Sequence, residues 1–184
     1  INEDMPNFDE LNESEFVYKG ATYYSNDAIQ SFGDLVNFEN LNVLRIFHCD
    51  TSDLSFLIQM PQLTELHLYK CNATELSPLS NLLNLEHLNI DTNELVSCSG
   101  IENLTKLETL TICQTGNVLD LTPILDLSQI YELNLGATGI SDIGFISNFT
   151  DLKFSVLENN TISDISPLTS STKLENIILA DNNI

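Results

Sequence analysis

The side chains of this sequence that could carry out chemistry are histidines and carboxylates, and all three histidines (His48, His67 and His87) lie in its first half. Together with Glu65 and Asp91, His67 and His87 offer the nitrogen and oxygen donors that zinc accepts. Side chains on adjacent strands diverge unless something holds them, so we predict no metal site. Nothing in the sequence supplies an oxyanion hole or an enclosed pocket. We therefore predict no catalytic residue, no cofactor and no enzyme activity.

The four cysteines are Cys49, Cys71, Cys98 and Cys113, and none of them forms a CxxC or CxxH pair. That spacing argues against a zinc or redox motif. Cys49 and Cys71 hold equivalent positions 22 residues apart, where parallel side-chain directions disfavour a disulfide. We expect buried thiols, with Cys98 as a small core residue and only Cys113 exposed.

These residues are positioned by a repeat with a fixed period. The stretch LTELHLYKCNATELSPLSNL, residues 63–82, shows its apolar pattern most clearly. The same pattern recurs in steps of 22, 22, 22, 23, 22 and 22 residues, starting at Leu41, Leu63, Leu85, Leu107, Ile130, Leu152 and Leu174. The one longer step predicts an insertion near residues 116–118 that leaves the neighbouring strands undisturbed.

Within each repeat, positions 1, 4 and 6 are apolar, and the segment between positions 3 and 7 alternates as a strand does. Position 9, often Asn or Cys, is expected to turn the chain and to satisfy backbone groups. Acids at position 13 are expected to cap short helical segments: Asp53, Glu75, Asp120, Asp142 and Asp164. Prolines three residues later suit an irregular outer wall: Pro78, Pro123 and Pro167.

The pattern LxxLxLxxN/CxL, followed by endings such as TELSPL (74–79), LDLTPI (119–124) and TISDISPL (161–168), resembles leucine-rich repeats of the internalin-like, 22-residue class. The resemblance covers residues 19–184. It implies an α/β solenoid: a right-handed curved array with a concave parallel β-sheet and short 3-10 or irregular helical segments on the convex side. A related intracellular class that regulates phosphatases shares the period.

Three regions follow from the pattern. Residues 1–18 form an acidic N-terminal leader, residues 19–40 a degenerate first repeat or N-terminal cap, and residues 41–184 the repeats, the last of them incomplete. In the cap we expect a short helix beginning near Ser25 or Asn26 that buries Ile29 and Phe32. In the sixth repeat Ser155 replaces a core leucine or isoleucine, which predicts a local hole or a shifted strand, with Phe154 as compensation.

The concave face of such a sheet displays positions 3, 5, 7 and 8. Aromatic and cationic side chains cluster there in the first three repeats, and such residues carry much of the binding energy in protein interfaces. The candidate partner-binding residues are Arg45, Phe47, His48, Glu65, His67, Tyr69, Lys70, His87 and Asp91. In the competing interpretation, neighbours merely pair with one another, for example Glu65 with His87.

The composition limits the partners. With 27 acids against 6 bases, the formal charge is −21, which excludes nucleic acid as an electrostatic partner. No apolar run is long enough to insert into a membrane. We predict a non-enzymatic module that binds a protein or peptide, or a glycan, at an extracellular or bacterial cell-surface location. The alternatives are a cytoplasmic scaffold or phosphatase-regulatory subunit, and a repeat spacer that self-associates weakly through its C-terminal edge strand.

Overall fold

The structure, a computed structural model, describes residues 16–18, 21–24, 32–47, 52–91, 94–115 and 119–184. Nine strands of this described part form one sheet in chain order. The first two strands are antiparallel, and each later neighbouring pair is parallel. Their bounds are β1 Phe16–Tyr18, β2 Ala21–Tyr24, β3 Val43–Phe47, β4 Glu65–Tyr69, β5 His87–Asp91, β6 Thr109–Cys113, β7 Glu132–Asn134, β8 Phe154–Val156 and β9 Asn176–Ile178.

The strands form because their residues alternate between the core and the opposite face of the sheet. In β4, Leu66 and Leu68 have no exposed surface, while the residues between and beside them are half-buried. Leu66 lies in register between Leu44 and Leu88. Full burial of one leucine side chain stabilises a fold by about 1.5–3 kcal/mol. A continuous apolar stack therefore fixes the register of every row on the other face.

Short 3-10 helices line the side opposite the sheet. Within the described residues they span Gly33–Asn37, Ser55–Gln59, Ser77–Leu79, Thr122–Ile124, Gly144–Asn148 and Ser166–Ser170. Three of them hold a proline in their first turn, as expected for Pro78, Pro123 and Pro167. Proline lacks an N–H, and the first turn of a helix leaves that donor unused.

The predicted acid caps are confirmed at four of five positions. The carboxylates of Asp53, Asp120, Asp142 and Asp164 each accept a hydrogen bond from the backbone amide two residues later, at 2.8–3.0 Å. The prediction for Glu75 is wrong. Its side chain is one methylene longer than that of an aspartate, and it accepts no such hydrogen bond within the described residues. In the third repeat Ser97, which we did not predict, accepts from the Ser99 amide at 3.1 Å.

The turns after the last two strands are held by asparagines at position 9, of which Asn160 is buried and Asn182 half-buried. The Asn160 side-chain amide donates to the carbonyls of Leu135 and Leu157 at 2.9 and 3.0 Å. Its oxygen accepts the backbone amides of Thr138 and Ile140 at 3.2 and 3.1 Å. Asn160 is thus bonded to two repeats at once, which confirms that position 9 satisfies backbone groups.

Ser155 does not shift its strand. It lies in register between Leu133 and Ile177, so that part of the prediction is wrong. Its side chain is nevertheless buried, and its hydroxyl makes no hydrogen bond within the described residues. Phe154 does not compensate, because alternation turns it to the opposite face of the sheet, where 39% of its surface is exposed.

Two predictions lie outside the described residues: the insertion near 116–118, and the start of the short helix near Ser25 or Asn26 with its buried Ile29. Across the insertion Leu110 still pairs with Leu133, so the sheet continues as expected. Phe32 is half-buried and stacks on Phe56, with ring centroids 4.9 Å apart. The three-region division stays a prediction.

In the part of the chain that is described, no helix has the length and apolar character needed to cross a membrane.

Candidate functional site

Strands β3 and β4 place the candidate residues in two rows of the concave face. The register pairs Arg45 with His67 and Phe47 with Tyr69. Each of these side chains stands on the face opposite the buried leucines and isoleucines, because adjacent residues of a strand point to opposite faces. We call Arg45, Phe47, Glu65, His67, Tyr69 and Lys70 the concave cluster.

Glu65 links two basic groups within the concave cluster. Its Oε1 forms an ion pair with Arg45 Nη2 and lies 2.8 Å from His67 Nε2. The hydrogen bond with His67, and then the charges of His67 and Arg45, lower the Glu65 carboxyl pKa from 4.5 to about 2. The three side chains are 16–28% exposed. They therefore form a connected polar network whose conformation is set before any ligand arrives.

The aromatic part of the concave cluster lies beside this network. The rings of Phe47 and Tyr69 are 6.2 Å apart between centroids and inclined by 49°, a usual geometry for interacting aromatic rings. Lys70 Nζ lies 5.0 Å from the Tyr69 ring centroid, within the range of a cation–π contact. Lys70 has a left-handed backbone with φ 51°, which ends the strand and leaves its side chain exposed.

The next strand meets a different set of neighbours. His87 Nδ1 lies 3.0 Å from Thr109 Oγ1, so the pairing of Glu65 with His87 that the competing interpretation offered as an example is not formed. Although the two residues are in register, Glu65 is engaged by Arg45 and His67. Thr109, which was not among the candidate residues, thus fixes the orientation of His87. The repeat places Thr109 beside His87, but only the side-chain positions show the hydrogen bond between them.

Cys113 is buried, with 8% of its surface exposed, so the prediction of an exposed thiol is wrong. Asp91 stands in register beside it and hydrogen-bonds to its thiol. Burial, followed by this hydrogen bond, raises the Cys113 pKa well above its usual range. Cys98 is fully buried as expected, and burial raises its pKa to about 12. Cys71 is buried too and donates to the Ile46 carbonyl at 3.4 Å.

The structure brings together six of the nine candidate residues as the concave cluster. His87 and Asp91 lie one strand further along, and His48 lies outside the described residues. No group of three or more His, Cys, Asp or Glu side chains in the described ranges is arranged to hold a metal ion. The arrangement offers an accessible aromatic and cationic surface, and its role in binding stays a prediction.

No protein-family model matches the chain, and no curated protein sequence matches it. Among solved structures, an internalin (InlF) from Listeria monocytogenes is 29% identical, covers 89% of this chain and has a TM-score of 0.83. This chain spans 48% of that internalin, about half its length.

Two further structures have the same fold. Internalin C2 from Listeria monocytogenes is 24% identical, with 87% of this chain and 80% of that one covered and a TM-score of 0.71. A leucine-rich repeat protein from Leptospira interrogans is 24% identical, with 86% and 42% covered and a TM-score of 0.74.

The parallel sheet, the period and these likenesses define a right-handed leucine-rich repeat solenoid, with the sheet on its concave side and short 3-10 helices on its convex side. The chain is a leucine-rich repeat protein with internalin-like, 22-residue repeats. This class of fold is used for protein–protein interaction.

Proposed function

We propose that the chain is a non-enzymatic recognition module that binds a protein or peptide partner on its concave face through the concave cluster. One observation carries the proposal: the Phe47–Tyr69 ring pair lies beside Lys70 and beside the network of Arg45, Glu65 and His67. Aromatic and arginine side chains are the types enriched at the energetic centres of interfaces. His87 and Asp91 extend the proposed surface by one strand.

Pre-organisation is the physical mechanism. The cluster stands on strands whose inward residues have no exposed surface, and its polar groups are already bonded to one another. Little conformational entropy therefore remains to be lost when a partner binds. The ion pairs also limit the energy available, because a partner that breaks the Arg45–Glu65 contact must replace it.

The likeness to an internalin supports, as part of the same proposal, an extracellular or bacterial cell-surface location. Fractionation of the native host with an antibody against the chain tests it. A signal confined to the cytoplasm would contradict this location and leave the binding proposal intact.

The binding test uses substitutions within the concave cluster and one matched control on the same face. The single substitutions Tyr69→Ala, Phe47→Ala and Arg45→Ala are each compared with Thr111→Ala, which lies in the same row as His67 but two strands away. A partner captured by the wild-type chain is purified and titrated against each variant by calorimetry. Truncation at an interface centre typically costs at least about 2 kcal/mol, or about thirtyfold in affinity.

We expect Tyr69→Ala to weaken binding by about this factor and Thr111→Ala to leave it within about threefold. Thermal unfolding of each variant shows whether the fold is retained. Equal affinity for wild type and all three cluster variants would refute the concave cluster as the contact site.

A further inference from the structure

The other end of the concave face carries an apolar patch. We define the apolar patch as Phe154, Val156 and Ile178. Phe154 and Ile178 are 39% and 41% exposed, and Val156 is half-buried between them in register with Ile178. Phe154 lies in β8, which pairs with β7 on one side and β9 on the other. The exposure of Phe154 is therefore not explained by a position at the edge of the sheet.

The charged residues beside the apolar patch are acidic. Glu132 stands in register beside Phe154, Glu158 follows Val156 by two residues on the same face, and Asp181 lies three residues after the end of β9, with a left-handed backbone, φ 54°. Positions 3, 5, 7 and 8 of the last three repeats contain no Lys, Arg or His. The nearest base along the chain, Lys153, has its Nζ 5.7 Å from the Tyr131 ring.

We propose that the apolar patch is a second contact surface, which takes an apolar side chain of a protein partner flanked by lysine or arginine. This inference rests on the proposed function of the concave face and specifies the partner's chemistry at one end of it. An exposed group of large apolar side chains is typical of interaction sites. The acidic rim attracts a basic segment and repels an acidic one, so charge selects the segment and the apolar contact holds it.

The two ends of the face differ in charge. The concave cluster carries Arg45, His67 and Lys70 with one acid, Glu65, whereas the charged residues on the face beside the apolar patch are all acids. A partner that spans the face thus meets mixed charge and aromatic rings at one end, and carboxylates with aliphatic and phenyl groups at the other. The polarity fixes the direction in which the partner lies.

The test uses the full chain and three fluorescein-labelled synthetic peptides of equal length in a Gly-Ser background. The first carries phenylalanine between two pairs of lysines, the second serine between the same lysines, and the third phenylalanine between two pairs of glutamates. Fluorescence anisotropy measures binding to wild type, Phe154→Ser, Glu132→Gln and, as the matched control from the same face, Thr111→Ala.

We expect the phenylalanine–lysine peptide to bind at least about tenfold more tightly than either other peptide, the advantage that one well-packed aromatic contact supplies. Phe154→Ser abolishes that advantage, Glu132→Gln weakens the binding of both lysine peptides several-fold, and Thr111→Ala leaves the binding of every peptide unchanged. Thermal unfolding confirms that the variants fold. If Phe154→Ser does not fold, Val156→Thr takes its place with the same expected loss.

Equal binding of the two lysine peptides would show attraction to net charge alone and would overturn the inference. An advantage that survives Phe154→Ser, or Val156→Thr where that variant takes its place, would overturn it as well. Neither result touches the proposed function, which fails only if the partner's affinity is insensitive to the concave cluster.

Discussion

Replacing Asn160 by alanine should be among the most destabilising single changes in the last repeats. Its side chain is 93% buried, and its oxygen is the acceptor for the amides of Thr138 and Ile140. The carbonyls that its amide group serves keep other donors: Thr138 Oγ1 on Leu135, and Asn182 on Leu157. Two backbone amides therefore lose their partner, and the carbonyls do not.

The magnitude follows from that count. Each buried donor left unsatisfied costs about 1–3 kcal/mol, so the loss of two partners in Asn160→Ala should lower the free energy of unfolding by about 2–6 kcal/mol. Asn182 accepts one amide, that of Ile162, at 3.0 Å, and Asn182→Ala should cost about half as much. The exposed Asn148 makes only a bond to the Leu125 carbonyl at 3.2 Å, and Asn148→Ala should cost less than about 0.5 kcal/mol.

Urea unfolding followed by far-ultraviolet circular dichroism measures the series. Because repeat arrays can unfold in parts, the slope of each transition is compared with that of wild type. An unchanged slope with a lower midpoint gives the cost directly. The reasoning fails if Asn160→Ala costs no more than Asn148→Ala, or if Asn182→Ala costs more than Asn160→Ala.

Three further predictions concern stability and one concerns thiol chemistry. Gly100 has φ 110°, and a Cβ there would lie 2.3 Å from the Leu76 carbonyl oxygen, so Gly100→Ala should cost at least about 2 kcal/mol in the same unfolding assay. A cost near zero would contradict that geometry. Ser155→Ala removes a buried hydroxyl that has no hydrogen-bond partner among the described residues and should stabilise the fold by about 1 kcal/mol; a loss of stability would show that the hydroxyl is bonded. Because the pKa of Glu65 is depressed, its contribution is present above pH 4.5 and lost as pH falls toward about 2. Glu65→Gln should therefore show a smaller loss of stability than wild type across that window, and identical slopes would refute the network. Because burial raises the Cys113 pKa, the Cys113 thiol should contribute nothing to the reaction of the native protein with a thiol reagent. Native Cys113→Ser and native wild type should therefore react equally fast, and a slower reaction of Cys113→Ser would contradict the burial of this thiol.

The fold was predictable because the period and the alternation both follow from the apolar residues alone. The positions of Leu66 and Leu68 indicate which face of the strand is buried, and the 22-residue step indicates which residues lie side by side across the sheet. The aspartate caps were predictable for a related reason: an aspartate two residues before a helical turn has a carboxylate at the right distance for that amide. Glu75 failed because this geometry depends on side-chain length.

The side-chain pairing on the concave face was not predictable. A row in the sequence gives neighbours about 4.8 Å apart, but a long side chain can reach along its own strand as easily as across it. The Glu65 carboxylate contacts His67 on its own strand and Arg45 diagonally on the neighbouring strand, whereas His87 contacts Thr109. The predicted exposure of the Cys113 thiol was wrong for the same reason, since the exposure depends on where the neighbouring Asp91 side chain lies.

The aspartate caps should outlast the other carboxylates when the pH falls. Hydrogen bonds from backbone amides hold the pKa values of Asp53, Asp120 and Asp164 below the ordinary value. Acidification should therefore neutralise uncapped carboxylates first, and the turns of the convex wall should keep their caps to a lower pH than the rest of the acidic surface keeps its charge.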